Sequence, residues 1–339
     1  MNDKKLMIKS KGILNQIGLL GVIAVLCIIF TCLNSTFIAA ANLMNIVRQS
    51  AVMIIVAMGV TFVMISGELD LSIGGVACLT GMVVSKLLTS GVSIPVAILI
   101  GLLLGALLGL FNGILTTKFN LPSMIVTLAT MNLANGSASL ITGGTAIYNL
   151  PQEFEFLGRG FIFGIPAQVV FMVILVIICG IVLSKTLIGR YALAIGGNAD
   201  VAKLAGISVI KYKLLYFVFC SLCASFAGMI LTSRLATGQP NLASNMMMDT
   251  LTAVVLGGTA MSGGEGSIAG SVMGALLLTI ISNGLTINGV NSFWQMIISA
   301  LILIATIIAR RKKDFSFLRA FPRACALVQW LYLKRVSSE

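Results

Sequence analysis

Histidine is missing altogether from these 339 residues, and charge is scarce, with only 9% of positions Asp, Glu, Lys or Arg. Without an imidazole there is no usual general base and no usual metal ligand, so a protease with a histidine base is excluded. A soluble domain carries about 25% charged residues. So few charges cannot cover a water-facing surface, and the bilayer must be the solvent for most of the chain. Nucleotide-binding signatures are also lacking. The stretch GGTAMSGGEGS at 257–267 is glycine-rich and contains SGGE, but no Gly-Lys-Ser/Thr follows it. It cannot cradle a phosphate and reads as a tight turn between two helices.

Apolar sequence is what the chain has in abundance: 58% hydrophobic residues and a mean hydropathy of +1.07. Runs of about 20 apolar residues cross a bilayer as helices, and shorter ones cross if buried in protein. About ten crossings follow, at 13–33, 50–65, 72–90, 94–116, 122–142, 166–184, 214–232, 250–262, 267–286 and 293–309. The second and eighth are short, precede glycine-rich breaks and read as partly re-entrant. The expected fold is an all-α polytopic bundle. Residues 1–12 form an N-terminal segment, 13–309 the membrane domain, and 310–339 a basic, partly amphipathic tail. Lys4, Lys5, Lys9 and Lys11 followed by Ile13–Leu33 and Ala39-Ala40-Ala41 imitate a signal peptide. The apolar run is too long for that, so it reads as an uncleaved first span.

The formal net charge is +12. In a soluble protein this would point to nucleic acid. Here the basic residues lie between and beyond the apolar runs, so they set topology and attract anionic lipid, and no nucleic acid is expected. With a cytoplasmic N-terminus, 18 Lys and Arg fall on the cytoplasmic side, in 1–12, 118, 185–213 and 310–339, against Arg48, Arg159 and Arg234 outside. Both termini are therefore expected in the cytoplasm. The seven cysteines, Cys27, Cys32, Cys78, Cys179, Cys220, Cys223 and Cys325, lie mostly in apolar runs and read as small hydrophobes; the CxxC at 220–223 has no second ligand pair nearby.

Several patterns remain. Gly101, Gly105, Gly109 and Gly113 form one ridge, and Gly266, Gly270 and Gly274 another, which lets backbones approach. A weak internal repeat matches DLSIGG at 70–75 with EGSIAG at 265–270, where Ser72 and Ser267 are candidate caps. Glu68 and Asp70 read either as proton-coupling acids or as structural groups at a break. The segment 185–213 is too polar to span, with Asn198 placed to cap a short helix. Asn132, Asn135, Ser139 and Thr142 share a helical face, as do Thr279, Ser282, Asn283 and Thr286. Such groups either line a solute path or bond helix to helix.

At these residues the chain resembles the ribose-type permeases of ABC importers for monosaccharides, which share a family with branched-chain amino acid permeases. GELDLSIG at 67–74, GRYALAIGGNADVAKLAGI at 189–207, SRLATGQP at 233–240, AVVLGGTAMSGGEGSIAG at 253–270 and NGL…GVNSFWQ at 283–295 carry it. The resemblance implies a transport subunit that performs no covalent chemistry and needs no cofactor or metal. The solute would be a monosaccharide crossing a bacterial inner membrane. The partners would be a separate ABC ATPase subunit, a periplasmic or lipid-tethered sugar-binding protein, and a second permease copy or relative. The family motif falls on Glu68, Asp70, Ser72, Gly74, Gly257, Gly258, Gly263 and Gly264. The ATPase-coupling set falls on Gly189, Arg190, Gly196, Gly197, Asn198, Asp200, Ala202 and Gly206. Asn132, Asn135, Ser139, Thr279 and Asn283 would be the substrate path. Glu68 departs from the family, which has an aliphatic residue there, and the tail beyond about Asp314 exceeds the usual length. The rivals are an ion-coupled secondary transporter using Glu68, Asp70 and Asp249, a non-transporting membrane scaffold or receptor, and an ABC permease for another small polar solute such as an amino acid.

Overall fold

The computed structural model describes residues 2–311. In chain order its elements are α1 (Asn2–Leu33), a 3-10 turn at Ser35–Ile38, α2 (Ala40–Ile65), α3 (Ile73–Thr89), α4 (Ile94–Thr117) and α5 (Ser123–Leu140). After a 3-10 turn at Gln152–Glu155 come α6 (Phe156–Arg159), β1 (Phe161–Ile162), β2 (Ile165–Pro166), α7 (Ala167–Lys185), α8 (Leu187–Gly197) and α9 (Ala199–Leu204). The chain continues with α10 (Val209–Leu235), α11 (Met246–Leu256), α12 (Ile268–Ile287) and α13 (Ser292–Arg311). This is an all-α polytopic bundle with one two-residue antiparallel hairpin, β1–β2, in the 141–166 connection. The basic tail at 312–339 lies outside the described residues.

Among the described residues five helices, α2, α4, α7, α10 and α12, are long and apolar enough to cross a membrane. They divide by position. The α2 helix is apolar all round and buried on almost every face from Ser50 to Ser66, which is the signature of a central helix. It packs against α10, α12, α7 and α11. The α4 and α7 helices bury only one side and turn the rest of their apolar surface outward. Such a surface is stable only against lipid or another membrane-embedded chain.

The glycine ridges explain how closely the helices cross. The buried face of α4 is the line Gly101, Gly105, Gly109 and Gly113, set against α10 and α3. A Cβ on Gly109 would lie 2.6 Å from Phe217 O, and one on Gly101 2.7 Å from Val84 Cγ2. On α12, a Cβ on Gly274 would lie 2.9 Å from Gly257 N, so this ridge meets α11.

Three boundaries differ from the sequence expectation. The second crossing begins at Ala40, ten residues before the predicted start, because Asn42, Arg48 and Gln49 break the apolar pattern without breaking the helix. The eighth is short indeed. At 11 residues, α11 reaches about 16 Å, roughly half the hydrocarbon thickness. The missing half is the irregular segment before it. From Gly238 to Ala243 the chain runs down beside α3: a Cβ on Gly238 would lie 2.6 Å from Ser85 Cβ, and Ala243 N donates to Cys78 Sγ at 3.2 Å. Finally, the linker after α7 contains a second helix, α8, which turns Gly189, Ala192 and Ile195 inward.

Candidate functional site

Three glycine-containing segments, far apart in sequence, meet backbone to backbone. They are the break after α2 at Gly67, the end of α8 at Gly196 and Gly197, and the turn between α11 and α12 at Gly263 and Gly264. A Cβ on Gly263 would lie 2.7 Å from Gly67 Cα and 2.9 Å from Gly196 Cα. One on Gly264 would lie 3.0 Å from Gly197 Cα, and Gly264 N donates to Ile65 O at 2.9 Å. Gly263 and Gly264 also take φ of +83° and +77°, where a side chain is strained. Of the glycines singled out in the sequence, Gly263 and Gly264 thus meet Gly196 and Gly197 in one junction, while Gly74, Gly189 and Gly257 pack elsewhere and nothing lies within 4 Å of a Cβ at Gly206. The junction joins the end of α8 directly to the ends of α2 and α11.

Just beyond the junction stands α9. Asn198 Oδ1 accepts from Asp200 N and Val201 N, each at 3.0 Å, and so caps the helix. Its other end closes in a Schellman turn: Ile207 N donates to Ala202 O and Gly206 N to Lys203 O, both at 3.0 Å, with Gly206 at φ +81°. Ala202 faces inward, while Val201 and Leu204 are 59% and 89% exposed. A six-residue helix capped at both ends, presenting apolar side chains beside Asp200 and Lys203, is a rigid knob. Gly189 packs on the Leu183 backbone, Arg190 is exposed, and no atom lies within 4 Å of a Cβ at Gly197. The close approach of these two backbones therefore requires the glycine at 264, not the one at 197.

The acidic break has its own partners. Glu68 pairs with Lys213 at the start of α10, both side chains being largely buried. Asp70, fully buried, accepts through Oδ1 from Ser72 N at 2.9 Å and from Ser72 Oγ at 2.6 Å. Ser72 Oγ accepts from Asn112 Nδ2 at 2.9 Å, and Asn112 Oδ1 accepts from Thr130 Oγ1 at 2.6 Å. This chain ties the break to α4 and α5. The second Asp70 oxygen, Oδ2, has no nitrogen or oxygen partner. Ser72 therefore does not cap α3 with its side chain, contrary to the sequence reading, whereas Ser267 does cap α12, accepting from Gly270 N at 3.0 Å. Gly74 admits the re-entrant segment: a Cβ there would lie 2.9 Å from Ala243 O. Asn112 and Thr130 escaped sequence reasoning, because one polar residue inside an apolar helix gives no periodic signal.

The two polar stripes are not brought together. Asn132, Asn135 and Ser139 lie on α5, which packs on α3 and α4, and Thr142 lies past the end of that helix. Thr279 and Asn283 lie on α12, which packs on α11, α2 and α1. Asn132 is exposed and Asn135 half-buried. By contrast, Asn283 exchanges two amide hydrogen bonds with Asn42 of α2, and Thr279 bonds to Ala275 O at 2.9 Å. Ser282 and Thr286 are engaged by Gln295 of α13. Asn283, Ser282 and Thr286 thus bond helix to helix, while Thr279 bonds back onto its own helix. Among the described residues no group of His, Cys, Asp or Glu is placed to hold a metal ion.

A family model described as "Branched-chain amino acid transport system / permease component" matches residues 42–307. The ribose import permease protein RbsC of Bacillus subtilis (strain 168) is 39% identical over 305 residues, covering 89% of this chain and 95% of that protein. The RbsC protein of Escherichia coli (strain K12) is 35% identical over 306 residues, with the same coverage of both chains. The L-arabinose transport system permease protein AraH of Escherichia coli (strain K12) is 37% identical over 303 residues, 88% of this chain and 92% of that protein. No solved structure matches the chain.

Proposed function

The chain belongs to the family of branched-chain amino acid transport system permease components, and from that premise we propose that it is the membrane-spanning permease of an ABC importer for a monosaccharide of the ribose type. One observation carries the reading: 39% identity to a ribose import permease, along nearly the full length of both chains. It is a transport subunit, with ATP hydrolysed on a separate ABC subunit and sugar supplied by a binding protein. It sits in the bacterial cytoplasmic membrane, with both termini, α8 and α9 on the cytoplasmic side. The strong basic bias of those segments supports that orientation.

The coupling route follows from the junction. The ATPase grips α9, whose exposed Val201 and Leu204 supply apolar anchors at the polar end of the bundle. Motion of α9 passes through α8 to Gly196 and Gly197. From there it reaches the backbones of Gly67, Gly263 and Gly264, and so the ends of α2, α11 and α12. Backbone contact transmits a displacement that flexible side chains would absorb. ATP can drive the cycle only if the two permease states contact the ATPase differently, and a rigid capped knob on a bundle end meets that need.

A second permease copy completes the path. The α5 face with exposed Asn132 and half-buried Asn135 and Ser139 is the polar surface available to such a partner. The acids have structural work: Glu68 neutralises Lys213 and Asp70 organises the break at Ser72, which leaves the ion-coupled rival only Asp249 of its three acids. The test is uptake in cells that lack other routes for the sugar. Uptake of D-ribose should survive a protonophore and collapse when ATP is depleted. Collapse with the protonophore while ATP is held constant would replace this reading with the ion-coupled one.

A further inference from the structure

Between α2, the end of α10 and the start of α11 lies a cavity of about 290 Å³. Its wall is mixed, with Val52, Met53, Leu231 and Met246 supplying apolar surface beside a cluster of polar side chains. Gln49 comes from α2, Arg234 from the last turn of α10, Asn241 and Asn245 from the re-entrant segment, and Asp249 and Thr250 from the opening turns of α11.

Three features set it apart from an ordinary packing defect. Arg234 and Asp249 line the same space yet make no ion pair. Among the described residues the ion pairs are Arg159–Glu155 and Lys213–Glu68. Opposite charges inside a membrane protein are costly and normally neutralise each other where they can meet. Thr250 is fully buried, and its hydroxyl makes no hydrogen bond. The backbone at 241–245 is a series of turns, and irregular backbone at membrane depth is tolerated where it lines a cavity or is covered by protein.

The donor set defines the ligand. A carboxylate accepts from hydroxyls, a guanidinium fork donates to oxygens, and amides do both. A small anion would meet Asp249, and a small cation would meet Arg234, so the wall suits a ligand of no net charge that both donates and accepts; the choice of a sugar among such ligands rests on the function proposed above. The volume is at the small end of the roughly 300–1,000 Å³ typical of ligand sites, which suits one sugar ring and no more. We propose that this cavity is a binding site for a single neutral monosaccharide within one permease subunit, occupied during transit. The lack of net charge and the size are read from the cavity, and the sugar class and the transit role rest on the function proposed above.

The test uses the whole importer, with its ATPase and binding protein, in lipid nanodiscs. A diazirine derivative of D-ribose is photoactivated and labelled peptides are mapped. Label should fall within 241–250, and excess D-ribose should displace it. Asp249→Asn, which removes one charge-assisted acceptor, should lower the label about tenfold. Thr250→Val keeps the shape and should lower it several-fold, and it carries the test if Asp249→Asn does not assemble. Label that D-ribose does not displace, or that neither variant weakens, overturns the site. ATP-driven ribose uptake by the same complex separates the two claims. Uptake without label at 241–250 defeats the site alone. Displaceable label without uptake defeats the transit role and the transport reading, and leaves a polyol site.

Discussion

Asn42 of α2 and Asn283 of α12, 241 residues apart, hold each other through two reciprocal amide hydrogen bonds of 2.9 Å inside the bundle. Asn42 Nδ2 also donates to Phe37 O at 2.8 Å, so Asn42 spends both of its amide N–H groups within the protein. The pair closes the amino-terminal half of α2 onto the far end of α12.

The substitution Asn283→Leu should therefore lower stability rather than block a path. It leaves the Asn42 amide short of partners, at a cost of about 1–3 kcal/mol. Thermal unfolding in detergent should shift downward, while uptake per folded complex stays near wild type. A severe uptake defect with an unchanged melting point would return Asn283 to the solute path.

Glu68 and Lys213 form a largely buried ion pair. Breaking one side leaves an uncompensated charge, whereas replacing both by apolar residues is close to neutral. Lys213→Leu alone should destabilise by about 1–3 kcal/mol, and Glu68→Leu with Lys213→Leu should recover most of it. Denaturation midpoints of the two singles and the double form the cycle. Additive losses would show that the pair does not interact.

The junction separates three neighbouring glycines by mechanism. Gly197→Ala should be tolerated at Gly197 itself, since no atom lies within 4 Å of the new Cβ. Gly206→Val forces a β-branched residue into φ +81° and should disorder the end of α9. Membrane insertion should persist while sugar transported per ATP hydrolysed falls several-fold. Gly196→Val drives a side chain into Ile65 O and Gly264 N and should uncouple transport more severely. Equal coupling ratios in all three variants would remove this region from the drive train. Cross-links to the ATPase that form elsewhere and skip 196–207 would do the same.

Orientation has its own check. Single cysteines at Asn2, Gly197 and Ser338, in a background without other cysteines, should resist an impermeant thiol reagent in whole cells. Ready labelling at any of the three would reverse the topology drawn from the basic residues.

Much of this architecture is legible in sequence, and the reasons differ by element. Glycines four apart on 101–113 announce a crossing, because a ridge without side chains has few other uses in lipid. Asn198 and Gly206 bracket α9 by local chemistry, which travels with the residue type. The start of α2 is hidden because Asn42, Arg48 and Gln49 look like a loop; only the distant Asn283 reveals that Asn42 is satisfied inside the bundle. The Glu68–Lys213 pair and the Asp70–Ser72–Asn112–Thr130 chain are equally hidden, since each joins residues about 20 to 145 positions apart. The polar stripes on α5 and α12 carry the same periodicity, yet one is partly exposed and the other spent mostly on neighbouring helices. Spacing gives the face of a helix and is silent about what that face meets.

The central claim is that this chain passes a monosaccharide across a membrane under ATP drive. The most direct measurement is uptake of radiolabelled D-ribose into proteoliposomes holding the permease and its ATPase, with the binding protein outside and ATP within. Accumulation above the external concentration, requiring hydrolysable ATP and unaffected by a protonophore, is the predicted result. Equilibration without ATP, or accumulation that follows an imposed ion gradient instead, would contradict it.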